Sequence, residues 1–179
     1  DEDRLAVVVE MAFSEDGVLL ESSIYRARVR NKAQLAYDAV SAWLVGEGDL
    51  PEPARRVKGM QVQLRLQDEL AQKLRVLRRA EGSLEFETFQ PKALFDGDRI
   101  TDIQQQPHNR ARQLIEEFMI ATNRCTARFL ATHGRASLRR VVRSPERWVR
   151  IVQVAQEYGV TLPNEPDGQA LEAFLANQH

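Results

Sequence analysis

The amino-acid sequence predicts an α/β fold: a mixed, mostly antiparallel sheet packed around one central buried helix. Three stretches carry that expectation. Leu5–Phe13 and Val18–Val29, separated by Ser14-Glu15-Asp16-Gly17, read as an antiparallel strand pair joined by turn residues. Leu84–Phe89 alternates with period two, and Ala93–Ile103 reads as its partner strand. Between these strands and the C-terminal part runs 108–134, a helix that is apolar around most of its circumference.

In chain order, Arg26, Arg28 and Arg30 alternate with Ala27 and Val29, so one face of the second strand is wet. Asn31 is placed to cap a helix running to about Val45, with Leu35, Ala39, Val40 and Trp43 on one side. Gly46 and Gly48 end it, and Leu50–Pro53 reads as a linker. A long helix over Val57–Arg79 follows, with Val62, Leu66, Leu70, Leu74 and Leu77 along one face. Gly82 breaks it. The strands 84–89 and 93–103 form a hairpin, irregular at Pro91 and interrupted at Asp96-Gly97.

On the central helix, Leu114, Ile115, Phe118, Met119, Thr122, Cys125, Thr126, Phe129 and Leu130 leave a narrow polar strip of Gln113, Glu117, Arg124, Arg128 and Ala131. Glu116 falls outside that strip, on the side of Asn123 and one turn after Arg112. A carboxylate facing packed neighbours needs a partner. An ion pair with Arg112, four residues back, is one reading. Leu138–Val142 reads as a short strand. Pro145 suits the first turn of a further helix packed by Trp148, Ile151, Val152 and Ala155, with Gly159 at its end. A last short helix begins near Gln169.

At 179 residues, with 43% hydrophobic and 28% charged, the composition is that of one soluble globular domain or a large part of one. No apolar run has membrane-spanning length, so no membrane partner is expected. The single cysteine, Cys125, excludes an internal disulfide and fits a reduced, cytoplasmic setting. The chain opens on Asp1, not Met, and enters a strand almost at once, which reads as a piece of something longer.

The net charge of −1 hides an asymmetry. Between His108 and Arg150 ten arginines face only Glu116, Glu117 and Glu146. Such an excess attracts a phosphate backbone. With only four lysines in the chain, the arginines read equally as compositional. There is no glycine-rich phosphate loop, no paired-histidine zinc spacing and no serine elbow. His108, His133 and His179 are scattered, and no cluster of aspartates could hold Mg²⁺. By its motifs the segment carries no catalytic residue and no metal site.

Several strings together are similar to the ribonuclease II / RNase R family, whose nuclease module is the RNB domain. Asn109-Arg-Ala-Arg-Gln-Leu-Ile-Glu-Glu-Phe-Met-Ile-Ala-Thr-Asn123 resembles the family's central helix. Asp3-Arg-Leu-Ala6 and Ile24-Tyr-Arg-Ala-Arg-Val-Arg-Asn-Lys-Ala-Gln-Leu-Ala-Tyr37 resemble the strand-then-helix opening that precedes it. Leu77-Arg-Arg-Ala-Glu-Gly-Ser-Leu-Glu-Phe-Glu-Thr-Phe-Gln-Pro91 and Phe95-Asp-Gly-Asp98 resemble its hairpin. Arg140-Val141 and Pro145 onward resemble the next strand and helix. The pattern departs at Arg112, where His is frequent, and at Val142-Arg143, where His-Glu is common.

The resemblance implies that residues 1–179 are the middle portion of an RNB domain in a hydrolytic 3′→5′ exoribonuclease. Such an enzyme degrades single-stranded RNA to 5′-mononucleotides with Mg²⁺. The metal-binding aspartates are then expected upstream, and an active-site arginine motif and an S1 domain downstream. The partners implied are single-stranded RNA and the remaining segments of the same nuclease. Three positions carry over as substrate-binding. Tyr37 matches a tyrosine that contacts the 3′-terminal nucleotides, Glu116 a glutamate that fixes the terminal ribose, and Phe86 an aromatic that stacks on bases. From the residues alone, Tyr37 is equally a partly buried helix-start tyrosine and Phe86 a core residue of its hairpin. The rival function is a non-catalytic RNA-binding protein on the same fold.

Overall fold

The computed structural model describes residues 2–83, 91–105, 109–138 and 147–177. The first hairpin forms where alternation and turn residues predict it. Strands β1 (Asp3–Phe13) and β2 (Leu19–Arg30) pair antiparallel from Asp3↔Arg30 to Phe13↔Leu19, with an irregularity after Ala12. In the turn, the Ser14 N–H donates to the Val18 carbonyl (2.9 Å) and the Gly17 N–H to the Ser14 carbonyl (3.0 Å). Gly17 has φ +83°, and a Cβ there would lie 2.9 Å from Lys73 Cβ on the long helix. Glycine is therefore required twice, for the left-handed backbone and for the close approach.

Helix α1 (Tyr37–Val45) begins six residues after the expected cap. The Asn31 side chain instead accepts from the Ala33 N–H (3.3 Å), a local turn that competes with helix and leaves 31–36 irregular. Ala39 is exposed; Val40 and Trp43 are buried, and Leu35 packs against Trp43 from outside the helix. The predicted linker holds one short turn of helix, α2 (Glu52–Arg55), with Pro53 in its first turn and Ala54 buried against Trp43 and Leu64.

Helix α3 (Met60–Ala80) leaves the first part of its expected face open and turns the later part inward, with Leu70 and Leu74 half-buried and Leu74 and Leu77 facing the central helix. Val62 and Leu66 are exposed, Leu64 is buried with Trp43 and Ala54, Ala71 is buried, and Asp68 and Arg78 lie at the seam with the central helix. The reason is polar: Asp68 and Arg78 each find an oppositely charged partner across the seam, so that side can close. Strands β3 (Pro91–Asp96) and β4 (Arg99–Gln105) form a second hairpin. Asp96-Gly97, expected to interrupt one strand, is its turn, with Gly97 at φ +60°. The predicted strand 84–89, with Phe86, lies outside the described residues. The class is the expected one; among the described residues the strands form two separate two-stranded antiparallel sheets.

Helix α4 (Arg110–Thr132) packs on α1, α3 and the β1–β2 hairpin. The expected polar strip is wrong at its first half. Gln113 and Glu117 are buried, while Glu116 is exposed, and Ile115 and Met119 remain open on the other side. The predicted strand 138–142 falls outside the described residues except Leu138, which is irregular and exposed; Pro145 also lies outside them.

Helices α5 (Trp148–Glu157) and α6 (Gly168–Ala176) build a core of their own. Trp148, Ala155, Leu162, Leu171 and Phe174 are buried together, with Ile151 and Val152 packed on them as expected. Trp148 Nε1 donates to the Pro163 carbonyl (3.0 Å), which satisfies the one polar atom of a buried indole. Asp167 caps α6 by accepting from the Gln169 and Ala170 N–H groups. Arg79 binds Glu172 (2.7 Å) and Gln169 Nε2 donates to the Ala80 carbonyl (2.9 Å), joining α6 to the end of α3.

Candidate functional site

The candidate site lies where the N-termini of α1 and α4 meet. Asn109 caps α4, its side-chain oxygen accepting from the Arg112 N–H (3.0 Å), while its amide donates to Asp38 Oδ1 (2.8 Å). The Arg110 N–H donates to the buried Ser41 hydroxyl (3.0 Å). These bonds fix the first turn of α1 against the first turn of α4. Arg110 then turns inward and grips Asp68 with two nitrogens, at 2.7 and 3.0 Å. The bond to Asp68 holds the Arg110 guanidinium above its ordinary range, so it stays a cation.

This arrangement sets Tyr37 beside Arg112, whose guanidinium carbon is 5.7 Å from the ring centroid. Tyr37 is 46% exposed. Arg112, Glu116, Met119 and Asn123 follow one another at helical spacing and are all exposed. Tyr37 and Glu116 therefore share one open surface, joined through Arg112. The Arg112–Glu116 ion pair does not form, and among the described residues Glu116 has no charged or hydrogen-bonding partner. Phe86 lies outside the described residues, so its position relative to this surface is not described.

Of the described arginines after His108, one is spent inside the fold and three more have partners at the surface. Arg110 serves Asp68, Arg112 covers Tyr37, Arg124 reaches Glu81 (3.4 Å) and Arg150 reaches Glu157 (3.7 Å). Asp38, Ser41 and Asn109, which set the geometry, escaped sequence reasoning; Asn109 before a helix was the readable signal. A cavity of about 300 Å³ opens between the hairpin turn and the α3–α4 seam, with Phe13, Leu74 and Ile120 on its walls beside the Arg78–Glu117 pair. Among the described residues no three Asp, Glu, His or Cys side chains come together as a metal site, so they do not fit as holders of Mg²⁺. No helix there is long and apolar enough to cross a membrane.

A family profile described as the RNB domain matches residues 1–178. Ribonuclease R of Escherichia coli is 34% identical over 174 residues, which are 92% of this chain and 20% of that protein. Exoribonuclease 2 of Cronobacter sakazakii is 33% identical over 130 residues, 71% of this chain and 20% of that protein. The apo form of Mycoplasma genitalium RNase R superposes with a TM-score of 0.85 at 20% identity, over 99% of this chain and 28% of that one. The same RNase R in complex with ribose-methylated single-stranded RNA gives 0.83 at 19% identity, with the same coverage of both chains. The chain spans about a fifth of the length of the curated relatives it matches. With the profile match running over nearly every residue, the chain belongs to the RNB domain family.

Proposed function

We propose that this chain is part of a 3′→5′ exoribonuclease that degrades single-stranded RNA to 5′-mononucleotides, and that its share of the work is to bind and orient the 3′ end. The observation that carries this reading is the open surface shared by Tyr37, Arg112 and Glu116. An aromatic ring offers a face to a base. Ionised, Glu116 can only accept hydrogen bonds, and a ribose hydroxyl can donate one. Arg112, on the Tyr37 ring, supplies the positive charge that makes a carboxylate tolerable beside a polyanion. Relatives of this chain are named ribonuclease R and exoribonuclease 2, and one is known bound to single-stranded RNA.

Phosphodiester hydrolysis in this proposal depends on Mg²⁺ held by residues outside the segment, and it takes place in the cytoplasm. The chain's own residues bind, orient and discriminate. The test is to incubate the complete polypeptide with 5′-end-labelled single-stranded RNA and Mg²⁺, beside the 179-residue chain alone. Stepwise shortening from the 3′ end by the complete polypeptide, with none by the isolated chain, is expected. RNA binding by the complete polypeptide without mononucleotide release would instead favour a non-catalytic RNA-binding protein.

A further inference from the structure

The basic residues that sequence charge counting overlooked stand in the first third of the chain. Arg26, Arg28, Arg30 and Lys32 occur at every second position of β2 and its continuation, all four exposed. No Asp or Glu occurs between Ser22 and Tyr37. In the hairpin, Arg26, Arg28 and Arg30 stand opposite Val7, Leu5 and Asp3 and share a face with them. Asp3 takes Arg30 at 2.7 Å. Among the described residues Arg26, Arg28 and Lys32 have no ion-pair partner.

We infer that this row is a binding track for the sugar–phosphate backbone of single-stranded RNA, leading to Tyr37. Three features support the assignment. Side chains two residues apart on a strand are about 7 Å apart, comparable to the distance between successive phosphates of an extended single strand. The row ends five residues before Tyr37, with only the irregular stretch 33–36 between them in sequence. Its neighbours across the hairpin, Leu5 and Val7, are 87% and 69% exposed and give riboses and bases an apolar surface beside the charges. Charge selects a polyanion, and the nearness in sequence to Tyr37 selects RNA over an acidic protein. The inference rests on the RNA-degrading reading above.

The track is tested in the complete polypeptide with a fluorescent oligoadenylate of twelve or so nucleotides, titrated across a range of salt. Each phosphate contact to a single strand contributes about 0.7 to the slope of log affinity against log salt. Arg26→Gln/Arg28→Gln should therefore flatten the slope by about 1.4, and Lys32→Gln, outside the strand pair, by about 0.7. Melting temperatures should stay at the wild-type value, since all three side chains are exposed. An oligonucleotide too short to reach past Tyr37 should bind all forms alike. Wild-type slope in both variants overturns the track alone. Absence of salt-dependent RNA binding in the wild type overturns the exonuclease reading together with it. Weakened binding of poly-glutamate, with RNA binding unchanged, overturns the track in favour of an acidic protein partner.

Discussion

Arg78 holds Glu117 across the α3–α4 seam with two nitrogens, Nη2 to Oε1 at 2.6 Å and Nε to Oε2 at 3.2 Å. A third nitrogen, Nη1, donates to the Ser83 hydroxyl at 2.7 Å. The Glu117 side chain is only 5% exposed, so its charge depends on this partner. Arg78→Ala should therefore destabilise the protein by about 3–5 kcal/mol, the usual cost of leaving a buried charge unpaired. Replacing the pair by Met and Leu together should cost much less. Denaturant unfolding of both variants checks this; equal losses would show that Arg78 contributes through packing alone.

The junction of α3 with α6 rests on two glycines. A Cβ on Gly168 would lie 2.9 Å from the Gly82 carbonyl oxygen, and one on Gly82, at φ +84°, would meet the Gln169 backbone at 3.1 Å. Gly168→Ala should lower stability by about 1–3 kcal/mol, the usual range for overpacking. A thermal melt reads it, and an unchanged Tm would mean that the junction can open without loss.

Much of this fold is legible in the sequence because local signals agree with the tertiary result. The first hairpin, the long helix, the central helix and the Trp148 helix all appear near their expected places. What failed was the facing of the helices. The wheel put Glu116 inside and Glu117 outside, because it sorts residues by polarity. The α3–α4 seam is closed by Arg78–Glu117 and Asp68–Arg110 pairs. A pair formed 39 or 42 residues apart leaves no trace in helical periodicity. The same blindness hid the site's geometry: Asp38, Ser41 and Asn109 meet only after α1 and α4 have packed. Tyr37 and Glu116 came from family resemblance, and the structure brings them onto one surface.

Phe86 remains a base-stacking candidate on resemblance alone. In the complete polypeptide, Phe86→Ala should weaken binding of single-stranded RNA by about 1–3 kcal/mol, the range for losing one stacking platform. Filter binding at fixed salt measures it. Unchanged affinity with a loss of about 3–5 kcal/mol in folding stability would identify Phe86 as a core residue of its hairpin.

Glu116 gives the sharpest prediction because it is exposed and unpaired among the described residues. Truncating an exposed side chain with no partner usually changes stability by no more than about 0.5 kcal/mol. Any loss of activity in Glu116→Ala is then a loss at the site. A carboxylate on an RNA path gains nothing from phosphates, and its natural donor there is the ribose 2′-hydroxyl, the group that separates RNA from DNA. Removing a hydrogen bond to a charged group costs about 1.5–3 kcal/mol. Glu116→Ala in the complete polypeptide should therefore lower the RNA-to-DNA ratio of kcat/KM by roughly tenfold or more. Matched single-stranded oligonucleotides, one ribose and one deoxyribose, supply the measurement. Arg112→Ala is the companion variant: it removes the cation from the Tyr37 ring and should slow both substrates together, leaving the ratio near the wild-type value. If Glu116→Ala also slows RNA and DNA by one common factor, Glu116 acts at the site without reading the sugar; if it slows neither, Glu116 is a solvated surface carboxylate.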